Sequence, residues 1–305
     1  MMPKVFPPRA AGRAGFTLVE LLTVISIMSL LIGLIVSASM KFRETVTRRA
    51  AEDQIKQRQL KLYDDYSAVL QNCHQKPLPD EIVVFAEGDR DRARAIHTAA
   101  TLRAHFPETF VEAANDFFIG TYKYEKKSTF KSVVGVVLSP ADPDMEAAVL
   151  LYLILTERSV GGTGGSPDNV AAGEKRTVKL GTAAPNVKDF EVFIDRRGTP
   201  LTYRRWLRSA ELDAAPYAHL APGSTIDPLD PKNLVAGWAN TTRRNILNDK
   251  STVTSPNLDF GVPAPGTGPR NRRPSVISFG KNKIYDNFAA GSDDLIGYQF
   301  DRQGK

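Results

Sequence analysis

Residues 16–40 read FTLVELLTVISIMSLLIGLIVSASM. Apart from scattered Ser and Thr the run is apolar, and it carries one charge, Glu20. As a helix rising about 1.5 Å per residue it is about 37 Å long, enough to cross a hydrocarbon core of ~30 Å with some tilt. The residues before it hold Lys4, Arg9 and Arg13, no acid, and end on Gly15. No later segment competes. Met145–Leu155, MEAAVLLYLIL, is about half the length a span requires and reads as a buried helix. The run therefore predicts one spanning helix near the N-terminus, with everything after it on one side of the bilayer.

A secretory signal peptide is the first rival, with Ser37-Ala38-Ser39 as a small-residue cleavage site before Met40. Signal cores run about 7–15 residues, whereas this one is far longer and is interrupted by a carboxylate. An ordinary single-pass anchor is the second rival, and Glu20 argues against it. A carboxyl well inside hydrocarbon costs on the order of 2–3 kcal/mol on insertion, so it implies a partner.

Gly15-Phe16-Thr17-Leu18-Val19-Glu20-Leu21-Leu22 resembles the class III signal of type IV pilins and type II secretion pseudopilins. In that family a membrane prepilin peptidase cuts after the glycine and N-methylates the new terminal Phe. The resemblance implies cleavage between Gly15 and Phe16, methylation of Phe16, and a Glu20 carboxylate that pairs with a neighbouring subunit's terminal amine. It further implies a non-enzymatic pseudopilin of a type II secretion system, assembled into a periplasmic pseudopilus that promotes protein export. The implied partners are prepilin peptidase, other pseudopilins, copies of itself in a helical filament, and an inner-membrane secretion platform. The implied location is the inner membrane, single-pass, with the C-terminal head in the periplasm. One alternative is a type IV pilin-like subunit serving adhesion, motility or DNA uptake; another is a membrane-tethered binding domain that never polymerises.

Elementary physics agrees with the implied roles. The Phe16 amine and the Glu20 carboxylate lie about one helical turn apart, so sliding one helix past another by a turn brings them to one depth. Each is uncompensated alone in a low-dielectric bundle, and pairing sets the axial register. A repeated head-to-tail contact generates an open filament. Losing Lys4, Arg9 and Arg13 takes the formal charge from +6 to +3. Two departures stand out. Ser29 and Ser37 occupy the positions where the family's major subunits usually carry Gly and Pro. Lys41, Arg43, Arg48 and Arg49 match the leader's positive charges, so orientation rests on the resemblance and not on charge counting.

These readings divide the chain into a leader at 1–15, a membrane segment at 16–40, a stalk helix at 41–76 and a globular head at 77–305. No proline falls between Pro8 and Pro77, and past Gly33 no glycine falls before Gly88. One helix of about 85 Å can therefore run unbroken from Phe16 to about Asn72. Ile55, Leu62, Tyr66, Val69 and Cys73 recur at helical spacing, giving a packed face on which Cys73 is a small buried hydrophobe.

In the head, Ala93–His105 and Asp144–Arg158 read as helices. Asp116–Tyr124, Ser132–Leu138, Ser275–Phe279 and Ile296–Phe300 read as strands. Lys188–Ile194 and Leu201–Leu207 read as a hairpin across Asp195–Pro200. Residues 208–274, rich in Pro, Gly and Asn, read as long surface loops. The fold class is α+β, a long N-terminal helix packed on an antiparallel β-sheet head with loop insertions. Removing 15 of 305 residues leaves 290, about twice a typical major subunit, which favours a minor or atypical pseudopilin.

Asp195–Tyr203, DRRGTPLTY, is similar to a hairpin of the major pseudopilin, with Arg197 in place of Trp. Ser278–Asn282 with Ser292–Ile296 is similar to that protein's calcium loop. The resemblance implies Ca2+ on Asn282, Asp293 and Asp294, completed by carbonyls near Phe279; calcium takes six to eight oxygens. Asn282 and Lys283 depart from the usual Asp and Gly.

Composition excludes more than it suggests. Hydrophobic residues are 42% and charged ones 24%, ordinary for a folding chain and unlike either a disordered or a polytopic one. One cysteine excludes an internal disulfide and multi-cysteine metal sites. His74, His97, His105 and His219 show no metal spacing; His97 and His105 read as surface or cap residues. The basic run Gly268–Pro274 lacks interleaved aromatics, which argues against nucleic acid. Asn240-Thr241-Thr242 matches a glycosylation triplet, a pattern that arises often by chance.

Overall fold

The computed structural model describes residues 17–138, 141–156, 172–182, 187–206, 227, 229–249, 251–252, 254–258, 260, 274–280 and 294–297. The chain forms two compact units, residues 1–48 and 49–305. The described part of the first is one helix, the beginning of α1 (Leu18–Gln75). From Leu18 to Val46 every side chain is exposed, including Leu30, Ile35 and Phe42. Thr23 returns its hydroxyl to the Val19 carbonyl at 2.8 Å, so that polar group is satisfied within the helix.

In the second unit the rest of α1 buries Ala51, Ile55, Leu62, Tyr66, Val69 and Cys73, steps of three, four and seven residues that keep one face inward. The five residues expected on that face are all buried, Cys73 among them. Their partners are α5 (Pro143–Thr156), α4 (Phe110–Ala114), the end of α3 (Arg90–His105) and the strands β4 (Lys188–Phe193) and β5 (Leu201–Arg204). Every residue of α5 from Ala147 to Tyr152 is buried, as are Ile154 and Leu155, so MEAAVLLYLIL is a core helix apolar all round. Asp142 starts α5 by accepting the Met145 amide at 2.9 Å.

The described residues of the head hold three small antiparallel sheets rather than one. β1 (Phe117–Ile119) pairs with β2 (Tyr122–Tyr124) across Gly120, whose φ of 60° suits glycine in the tight loop. β3 (Lys175–Leu180) pairs with β4 from Lys175↔Phe193 to Leu180↔Lys188. β5, β6 (Ser275–Ser278) and β7 (Leu295–Ile296) form the third. The expected hairpin between 188–194 and 201–207 is reduced to one bridge, Ile194↔Pro200. The cause lies in its turn. Asp195 accepts the amides of Arg197 and Thr199 and also the hydroxyl of Ser278, which directs β5 to β6.

Two other expectations change. Residues 128–133 form a 3-10 helix, and 134–138 leave it through Gly135 at φ 80°, so no strand covers Ser132–Leu138. Inside the expected loops lies α6 (Thr241–Asn248), whose Leu247 joins a second core. That core gathers Ile82 and Phe85 of α2 (Asp80–Phe85), the Ala-rich face of α3, the β1–β2 hairpin, Trp238, Leu258 and Phe260. None of its described residues comes from α1.

Candidate functional site

The first turn of α1 is closed by a reciprocal cap. The Thr17 amide and hydroxyl both donate to Glu20 Oε2, at 3.0 and 2.9 Å, and the Glu20 amide donates to Thr17 Oγ1 at 3.2 Å. Thr17 is the cap and Glu20 the third helical residue, the arrangement of a capping box. The Thr-x-x-Glu spacing ahead of an apolar run is the signal for this cap, and a reading of the run as a membrane span passes over it. Glu20 is thus the one carboxylate on the exposed apolar stretch from Leu18 to Met40, held by the residue that follows Phe16. Gly15 and Phe16 lie outside the described residues. The helix is long and apolar enough to cross a membrane.

Of the calcium candidates, Asp294 is buried at the start of β7, while Asn282 and Asp293 lie outside the described residues. Among the described residues no three His, Cys, Asp or Glu side chains converge as metal ligands. Calcium takes six to eight oxygens, and of the three candidate side-chain donors only Asp294 falls among the described residues.

A cluster of charged groups inside the described head helps to hold it together. Arg205, 3% exposed at its side chain, pairs with Glu112 at 2.9 Å and Glu108 at 3.7 Å, and donates to the Phe106 carbonyl at 3.1 Å. Arg103 meets Glu112 from the other side at 3.4 Å. Burial works to raise Glu112, but Arg205 and Arg103 outweigh it and bring its pKa down to about 2. These residues are scattered between 103 and 205, and no sequence spacing announces the cluster.

Of the two histidines read as surface or cap residues, His105 sits at the helix end as a cap while His97 departs from both readings. His97 sits mid-helix with Nδ1 at 2.8 Å from the Tyr124 hydroxyl, and burial, aided by the charge of Arg94, lowers it to about 4. His105 closes α3 with Nδ1 at 2.8 Å from the Thr101 carbonyl, and burial beside Lys127 lowers it to about 3. Burial pushes the Cys73 thiol up, away from thiolate reactivity. Asn240 serves as the cap of α6, its oxygen accepting the Arg243 amide at 3.1 Å and its nitrogen donating to Glu87 at 2.7 Å. Both ends of the amide in the glycosylation triplet are therefore occupied.

No curated protein and no solved structure matches the chain. A family model does, over residues 11–36: the prokaryotic N-terminal methylation motif. That segment brackets the Gly15–Phe16 junction, Glu20 and the first part of the exposed helix. The chain carries, in these residues, the class III prepilin signal of type IV pilin-like proteins, joined to an apolar helix fit for a membrane anchor and an α+β head.

Proposed function

We propose that the protein is a pseudopilin of a type II secretion system, a structural subunit and not an enzyme. It is cut by prepilin peptidase between Gly15 and Phe16, methylated on Phe16, and drawn from the inner membrane into a periplasmic pseudopilus with its head outside the cytoplasm. The observation that carries this reading is Glu20: a lone carboxylate in a fully exposed apolar helix, inside a segment that matches the methylation motif. In the membrane its partners are the Thr17 amide and hydroxyl. In the filament the Phe16 amine of a neighbouring copy, shifted by about a turn, takes the carboxylate, and a buried charge pair replaces a local cap. The apolar surface of residues 18–46 passes from lipid to other helices.

The similarity of 195–203 and 278–296 to the major pseudopilin favours a secretion pseudopilus over a surface pilus, while Ser29 and Ser37, in place of Gly and Pro, favour a minor or atypical subunit. Calcium on Asn282, Asp293 and Asp294 belongs to this proposal and is separable from it. Chelation lowers the melting temperature of the head if the ion is bound and leaves it unchanged otherwise.

The test is Glu20→Ala in the native host. The variant is processed and membrane-inserted but absent from sheared or cross-linked filaments, and export of secreted proteins falls with it. Normal assembly of the variant contradicts the mechanism. Loss of surface fibres with export intact moves the subunit to a pilus.

A further inference from the structure

The seam between the two cores of the head opens into a cavity of about 210 Å3. One wall is a single face of α3: Asp91, Arg94, Ala95 and Thr98. The turn Leu229–Leu234 supplies a second wall, and His74 near the end of α1 completes the lining. Leu229 packs on both cores, so the cavity lies where they meet, a common place for a small-molecule site.

The turn is fixed before any ligand arrives. Asp230 accepts the amides of Leu234, Val235 and Ala236 at 2.7, 2.8 and 3.0 Å. Asp91 is taken by Lys232, at 2.5 Å across from α3 to the turn. Both acids of the lining are therefore engaged. Arg94 is the exception. Its Nη1 donates to the carbonyls of Cys73 and Lys76, at 2.6 and 2.9 Å, which anchors the guanidinium against the end of α1. Among the described residues no carboxylate pairs with it. Its charge reaches two neighbours: after burial, it is a further cause holding His97 down and one of those opposing the rise at Cys73.

An anchored cation with no counter-ion among the described residues, beside Ala95, Leu229, Pro231 and Leu234, calls for an anion on a short apolar body. We propose that this cavity binds a small monocarboxylate, its carboxylate on Arg94 and its apolar body between α3 and the 229–234 turn.

The full chain in detergent micelles is titrated calorimetrically with benzoate and with benzamide, its uncharged counterpart. Benzoate binds saturably at one per chain, and benzamide binds at least about tenfold more weakly. Arg94→Met weakens benzoate about tenfold. That change also cuts two bonds to α1, so Ala95→Leu is the second variant: it narrows the cavity with Arg94 untouched, and it too weakens benzoate. Absence of saturation by about 10 mM benzoate overturns the proposal. So does equal binding of benzamide, or unchanged benzoate binding in both variants.

Discussion

Arg205 brings a full positive charge into the interior of the head and is compensated there by Glu112, Glu108 and a backbone carbonyl. Replacing Arg205 with Ala leaves Glu112 buried with Arg103, at 3.4 Å, as its remaining cation, and the expected loss is about 3–5 kcal/mol by chemical denaturation. The histidines set an acid limit. His97 and His105 have folded pKa values of about 4 and about 3, below the ordinary 6.5, so the unfolded chain takes up protons first as pH falls. Stability is therefore undiminished by them above about pH 6.5 and declines as pH drops from there towards 4 and 3. Glu112, held low at about 2, adds its own decline as pH falls below the usual carboxylate range. Melting curves across about pH 7 to 4 check the sign, and His97→Phe with His105→Leu flattens the upper part of the decline. At this scale the sequence was least informative: a histidine's burial depends on residues such as Tyr124 and Lys127 that only the fold brings near.

Elements are joined by single side chains as much as by strand pairing. Gln59 of α1 reaches the edge of β6, donating to the Pro274 carbonyl at 2.8 Å and accepting the Val276 amide at 2.9 Å. The fit also requires glycine at 297, where a Cβ would clash with Gln59 Oε1. Gln59→Leu leaves a buried amide and carbonyl without partners and costs about 1–3 kcal/mol. Gly297→Ala is destabilising in the wild type and less so beside Gln59→Ala, a coupling that a double-mutant cycle measures. α1 and α5 were legible from long apolar runs and the absence of helix breakers, and the distal half of α1 from its periodic buried face. Periodicity missed α6, where Leu247 is the only buried residue and the start is marked by Asn240, in a triplet noted as a chance glycosylation match. It misread 132–138, because β-branched composition cannot show that Lys188 holds the Ser132 and Val134 carbonyls at 2.8 and 3.1 Å.

For the whole molecule the decisive information sits in a short stretch. The methylation motif covers residues 11–36, and its Glu20 gives the exposed helix a charge that lipid alone does not explain. This was legible because a membrane segment is selected by composition and length, which need no tertiary context. The head was legible in class and not in plan: three small sheets and a second core depend on long-range partners. The second core explains part of the size of the head, since α2, α3, the β1–β2 hairpin and α6 supply it with no described residue from α1. The measurement that bears most directly on the central claim is the intact mass and N-terminal sequence of the protein recovered from membranes of its native host. The account predicts a chain that begins at Phe16 and carries one added methyl group. A chain that begins at Met40, or one that retains Met1 or Met2, contradicts it.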